Sequence, residues 1–260
     1  MLRGHNRQLG NVGNLGDIIK HAALVEISTW LARDRSDSSF VDTHAFQLHA
    51  PLLDRARWER EVDALAAAHP AYERYAALER DSLARTGHYR CSSGLVIDAL
   101  GDRRVCAVLG EANAASRAEI SSQLEAEGLA NVFIVDDAAR VDDAARVPAG
   151  GALLVHVDPF TLSPELWSAL APALSAMSAR SADAAFVLYR YSRQARAPWP
   201  AAPAGTTGPL METRGGPHEV AAYASPGLAD AVRNACTSLG WIPARIEPRI
   251  GIVDLLAKTP

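Results

Sequence analysis

VCAVLGEANAASRAEISSQLEAEGLANVFIVDD, residues 105–137, switches twice between the two periods that separate strands from helices. Val105-Cys106-Ala107-Val108-Leu109 is a short apolar run that ends at Gly110-Glu111 and reads as a buried strand. Residues 114–127 read as an amphipathic helix, and Asn131–Asp136 is apolar again. The pattern recurs downstream: strand Ala152–Val157 ends at Asp158-Pro159, helix 164–179 follows, and strand Ala185–Tyr189 comes next. Short apolar strands alternating with helices imply an α/β fold with a doubly wound, mostly parallel sheet.

Working outward, residues 1–14 are polar and glycine-rich and read as an irregular arm. Residues 15–33 form a helix that is apolar around most of its circumference, hence buried. Ser39–His44 reads as a short strand with a polar end. Residues 47–88 read as a helical insertion, its charged, alanine-rich part spanning 51–86. A further helix starts near Ser92 and Ser93, which suit N-caps. Residues 197–217 are rich in Pro, Gly and Ala and read as a flexible loop. The tail predicts strand 218–224, helix 227–240 and a strand near 250–256. There is no internal repeat, so residues 1–260 read as one domain.

The net charge of −4 argues against nucleic acid as a partner. The basic cluster at 189–196 reads as a solvated loop after a strand. Cys91, Cys106 and Cys236 are odd in number and lack metal spacing, so neither a disulfide framework nor a bound metal is expected. The first residues lack the apolar core of a signal peptide, and no apolar run is long enough to span a membrane. A cytoplasmic protein without membrane partners is the expectation.

In an open α/β sheet ligands sit outside the carboxyl ends of the strands. Ionisable groups occupy four such ends here: Asp42 to His44, Glu111, Asp136-Asp137 and Asp158. A carboxylate at Glu111 suits a ribose diol, and Asp136 or Asp137 suits an adenine amine or an N-cap. Asp158 precedes Pro159, so that turn offers acceptors and no backbone donor. Asp17, Lys20 and His21 share one helical face. Two readings stay open for them: a cleft-lining set, or an Asp17–Lys20 pair beside a hydrogen-bonded core histidine.

Taken in order, GNVGNLGDIIKHAAL, FVDTHA, YRCSSGL, LGEAN and LLVHVDPF resemble the bacterial 23S ribosomal RNA adenine-N6 methyltransferases over most of residues 10–190. The resemblance implies the class I S-adenosylmethionine (SAM) methyltransferase fold with an inserted helical subdomain. It implies cofactor contacts at Lys20, His21, His44, Ser92 (or Ser93), Glu111 and Asp136, and an amine-accepting catalytic residue at Asp158.

Three segments depart from that pattern. The family's glycine-rich turn after its histidine is Ala45-Phe46-Gln47-Leu48 here, which denies the close backbone approach that glycine gives to the methionine part of SAM. The family's Asp-Pro-Pro-Tyr is Asp158-Pro159-Phe160-Thr161, with the aromatic one position early. No aromatic residue precedes Trp30, where the family has one that touches RNA. The acceptor is kept while the stacking platform, the cofactor turn and the RNA arm are altered. The resulting expectation is an enzyme of specialised biosynthesis that performs nucleophilic substitution at an amine of a small molecule. Asp158 would orient the amine, with His44, His21 or Lys20 assisting, and Asp17, Phe46, Pro159 and Phe160 would line the substrate. The electrophile would be SAM, or a leaving group on the substrate in a SAM-independent ring closure. The alternatives are the parental rRNA methylation and a non-catalytic scaffold for a partner protein subunit.

Overall fold

The computed structural model describes residues 9–101, 105–136, 147, 149–159, 162–191, 199–215 and 217–244. Along the chain run α1 (Leu15–Asp34), β1 (Ser38–Asp42), β2 (His49–Ala50), α2 (Arg55–Ala68), α3 (Tyr72–Thr86), β3 (Tyr89–Arg90), α4 (Ser92–Leu100), β4 (Val105–Gly110), α5 (Ala114–Glu127) and β5 (Val132–Val135). Then come β6 (Ala152–Val157), α6 (Pro164–Arg180), β7 (Asp183–Tyr191), β8 (Met211–Gly215), β9 (His218–Ala224), α7 (Ala229–Ser238) and β10 (Ile242–Pro243).

The main sheet has the order β10-β8-β9-β7-β6-β1-β4-β5. Strands β5, β4, β1, β6 and β7 are mutually parallel. Strand β9 pairs antiparallel with β7, β8 with β9, and β10 with β8. From β1 the chain builds outward through β4 to β5, then crosses back to β6 and β7 on the other side. This order, closed by an antiparallel β9 beside β7, is the class I SAM methyltransferase plan. The direction of winding reverses at β1, so the ligand crevice opens at the carboxyl ends of β4, β1 and β6.

Strand alternation assigns each side chain to one of two cores. Phe40, Leu154, Ala185 and Val187 point to the face covered by α1, α4 and α7. Val41, Leu153, Val155, Val157, Phe186 and Leu188 point to the opposite face with Leu170, Leu174 and Met177 of α6. By the same alternation Asp42 follows Phe40, and His156 follows Leu154, toward α1. Helix α1 is buried on nearly all sides, which explains its lack of an amphipathic stripe.

Several boundaries differ from the sequence reading. The 51–86 stretch is two helices, parted at His69-Pro70 because proline lacks the N–H a continuous helix needs. The 197–217 loop contains β8, whose buried positions Met211, Thr213 and Gly215 alternate with half-buried Glu212 and Arg214. That alternation is masked by polar residues and a glycine. Arg190, expected on a solvated loop, lies in β7 and pairs with Glu219 at 2.6 Å. Residues 192–198 and the strand expected near 250–256 fall outside the described residues. Among the described residues no helix is long and apolar enough to cross a membrane.

Gly16 is where α1 meets the sheet most closely. A methyl group there would overlap the His218 ring and stand 2.9 Å from Tyr189 Cε2. Tyr189 and His218 cannot simply move apart, because Tyr189 OH and His218 Nδ1 are hydrogen-bonded at 2.7 Å. Gly16→Ala should therefore lose about 1–3 kcal/mol from overpacking, although alanine is worth about 1 kcal/mol more than glycine in an unhindered helix. Thermal melting of the variant reads the difference; an unchanged or higher midpoint contradicts this packing.

Candidate active site

Asp42 ends β1 at the switch point and is fully buried. Its Oδ2 accepts hydrogen bonds from Ser92 Oγ at 2.8 Å and Ser93 Oγ at 2.9 Å, and lies 3.2 Å from His156 Nδ1. Burial alone would favour the neutral acid, but His156 and the two hydroxyls outweigh it and hold Asp42 well below the usual carboxylate range. The serines do not cap α4 as expected; Cys91 holds that position without a side-chain bond. Their hydroxyls serve the neighbouring carboxylate instead.

Asp158 follows β6 by one residue and is partly buried. Its Oδ2 forms an ion pair with Lys20 Nζ and stands 4.0 Å from His156 Nε2. Lys20 also pairs with Asp17 Oδ1 at 2.7 Å and lies 4.7 Å from the centre of the Tyr189 ring. Burial opposes the ammonium, yet Asp158 and Asp17 prevail and raise Lys20 further above its usual value. Asp17 is also opposed by burial and is lowered mainly by Lys20. Its carboxylate is fixed by the backbone N–H of Gly13, which donates to Oδ2 at 2.9 Å. Thus the open question about the Asp17–Lys20–His21 face resolves into a pair, as one reading had it, extended by Asp158 into a triad at the crevice.

His21 takes the core-histidine position. Its Nδ1 lies 3.0 Å from Tyr89 OH, which lies 2.8 Å from Tyr75 OH, which accepts from Trp58 Nε1 at 2.9 Å. Indole N–H can only donate, so Tyr75 OH is the acceptor for Trp58, while the direction of the Tyr75–Tyr89 and Tyr89–His21 bonds follows the tautomer of His21. Burial lowers His21 to about 3, so its ring is neutral near pH 7.

Glu111 follows β4 and is nearly buried. Asn113 N–H donates to its Oε1 at 2.6 Å. Burial first, with Asp42 nearby, pushes its carboxyl up to about 7. Asp136 is exposed beyond the edge strand β5; Asp137 and Phe160 fall outside the described residues. His44 is partly exposed, its Nδ1 2.7 Å from Thr43 Oγ1 and its N–H donating to Asp42 Oδ1 at 3.2 Å. Pro159 is buried and Phe46 half-buried.

The turn after β1 is tied down at both ends. Ala45 N–H donates to Gly110 O at 2.8 Å, and Leu48 N–H to Gln123 Oε1 at 2.8 Å. Leu48 O accepts from Cys91 N–H at 2.9 Å, and the absence of a side chain at Gly94 lets that carbonyl approach α4. The structure thus gathers Asp17, Lys20, Asp42, His44 and Asp158 near one crevice, with Glu111 on the adjoining strand end.

Sequence reasoning missed His156 and Tyr189. Both were detectable: His156 stands two residues before Asp158, on the same face of β6, and Tyr189 occupies the neighbouring strand end. Among the described residues no three His, Cys, Asp or Glu side chains form a metal-ligand set.

No family model and no curated protein matches the chain. Among solved structures, protein LPL1258 from Legionella pneumophila str. Philadelphia 1, described as DUF519, is 13% identical with a TM-score of 0.60, covering 88% of this chain and 94% of that one. An rRNA methylase from Streptococcus thermophilus is 10% identical with a TM-score of 0.40, covering 76% and 93%. TrmN from Thermus thermophilus is 13% identical with a TM-score of 0.40, covering 77% and 47%. At these identities the likeness is one of fold.

Proposed function

We propose that this chain is a SAM-dependent N-methyltransferase for an amine of a small molecule. The observation that carries the reading is the Asp158 carboxylate at the switch point. Its Oδ2 is turned inward to Lys20, which leaves Oδ1 and the Asp158 carbonyl for the substrate amine. Two acceptors would hold the amine with its lone pair directed at a carbon electrophile, and such alignment can supply about 7–11 kcal/mol of a barrier. SAM, when bound, supplies an activated methyl carbon. Glu111 suits its ribose, and His44 beside Asp42 suits a polar group of its remaining part. A panel of alkyl and heteroaryl amines incubated with SAM tests the reading; release of S-adenosylhomocysteine (SAH) supports it.

A second reading is favoured by the tethered, glycine-free turn at 45–48. If its side chains exclude the methionine part of SAM, the electrophile belongs to the substrate and the product is a ring. Under this reading Lys20, held protonated, would steady the departing anion. Methylation of rRNA adenine is the third; it predicts salt-dependent RNA binding.

Glu111 makes cofactor binding depend on pH. A diol donates to a carboxylate, not to a neutral acid, so binding draws on the ionised form. With its carboxyl at about 7, SAH should bind roughly tenfold more tightly near pH 8 than near pH 6. In the free protein the sign is opposite for stability: the folded state keeps this proton longer, so Glu111 costs stability as pH rises from about 4.5 to about 7. Calorimetry with Glu111→Gln should show weaker binding without this pH step; a step that survives the substitution assigns it to another group.

A further inference from the structure

We propose that His156 is a proton relay behind Asp158, a buried imidazole whose Nε2 receives the proton that Asp158 draws from the substrate amine. The inference rests on Asp158 being the amine acceptor.

Strand β6 reads Ala152-Leu153-Leu154-Val155-His156-Val157, and His156 is its one polar residue. It is fully buried, on the α1 side of the sheet, in register with Asp42 on β1 and Val187 on β7. Asp42 is held ionised and can only accept, so His156 Nδ1 must carry the proton between them. When the ring is neutral, Nε2 presents a lone pair. Among the described residues that atom has no hydrogen-bond partner, and Asp158 Oδ2 stands 4.0 Å from it. An apolar residue would fill this position without leaving a buried nitrogen unsatisfied. The arrangement is a carboxylate, an imidazole and a second carboxylate in line, with the inner carboxylate fixing the tautomer and stabilising an imidazolium.

Among the described residues, the other ionisable groups around Asp158 are poorly placed to take the proton. Lys20 is held protonated by Asp158 and Asp17 despite its burial. Asp17 and Asp42 are held ionised against burial. Burial keeps His21 neutral, with its Nδ1 hydrogen-bonded to Tyr89 OH. The Tyr189 hydroxyl is held protonated, first by its own burial. The groups facing His156 are thus Asp42 from β1, Ser92 and Ser93 through it from α4, Lys20 and His21 from α1, and Asp158 at the end of its own strand.

In the step itself, a substrate ammonium gives one proton to Asp158, which rotates and passes it to His156 Nε2. The freed nitrogen lone pair forms the bond to the carbon electrophile while the carbon–leaving-group bond breaks, its electron pair staying with the leaving group. The product nitrogen keeps its remaining protons, and His156 returns its proton to solvent through Asp158 when product departs.

Histidine-labelled full-length protein, observed by long-range proton–nitrogen correlation, tests the relay without any substrate. Near neutral pH, His156 should show a protonated Nδ1 and an unprotonated Nε2. On acidification the proton should arrive at Nε2, and in Asp158→Asn that step should move to lower pH, because a neighbouring negative charge is gone. A proton resident on Nε2 at neutral pH overturns the relay, and so does an acid step at the same pH in both proteins. Should Asp158→Asn fail to fold, the tautomer in the unaltered protein decides alone. Titration of the same sample with SAH separates the two claims. Coupling without SAH binding keeps the relay and removes SAM from the proposed function; SAH binding with Nε2 protonated does the reverse.

Discussion

Asp158→Asn should lower turnover by about a hundred- to ten-thousandfold while the protein stays folded. Positioned general bases contribute about 10²–10⁴-fold, and asparagine removes the proton acceptor while retaining one oxygen to contact the amine. Lys20 would keep its pair with Asp17 at 2.7 Å, so no buried ammonium is stranded and the melting temperature should change by only a few degrees. The measurement is SAH release from SAM with an amine acceptor, alongside a thermal melt. Turnover within tenfold of the parent, with the fold intact, would remove Asp158 from the chemistry.

Lys20→Met should be the most destabilising change at the site. It leaves Asp17 and Asp158 facing each other without their shared cation, both in largely buried positions. Removing one partner of a buried ion pair costs about 3–5 kcal/mol, which for a chain of this size lowers the melting temperature by roughly 6–20 °C. The pH dependence carries a sign. In the parent protein Asp17 is held below its ordinary value, chiefly by Lys20 against the opposing effect of burial. Its stabilisation is present above the ordinary carboxylate range and is lost as pH falls through the lowered value. Without Lys20, burial dominates and the carboxylates welcome protons, so the deficit of the variant should shrink on acidification. A deficit that grows toward low pH would mean the triad is not what Lys20 holds together.

The fold was legible where hydrophobic period and length agreed. The parallel strands β4, β5, β6 and β7 are short, almost wholly apolar runs bounded by Gly, Asp and Pro, and helices α5 and α6 carry clear caps in Asn113 and Ser163. Strand β8 was not legible, because its solvent-facing half is charged and its last residue is glycine. The break between α2 and α3 was written in His69-Pro70 but overruled by the charged, alanine-rich composition around it. At the site, sequence order brought Lys20, Asp42 and Asp158 into view by their positions on elements. Their connection across 138 residues, Lys20 to Asp158, depends on α1 packing over the carboxyl end of β6, which no local pattern encodes. His156 was passed over because a histidine inside an apolar strand looks like core, whereas its significance lies in the in-register Asp42 on β1.

The turn at 45–48 decides how far the plan's ordinary chemistry extends to this chain. Its tethers to Gly110 and Gln123 are independent of any ligand, and it carries Ala45-Phe46-Gln47-Leu48 where the sequence resemblance implies glycines. Glu111, by contrast, keeps the carboxylate expected at a ribose. On the proposed reading the turn opposes the cofactor and Glu111 favours it.

Calorimetric titration of the folded protein with SAH near pH 8 weighs them directly. The account predicts a dissociation constant in the micromolar range, about −8 kcal/mol, weakened by Glu111→Gln. Absence of binding heat and of any thermal stabilisation at millimolar SAH would contradict SAM as the methyl donor and leave an electrophile carried by the substrate.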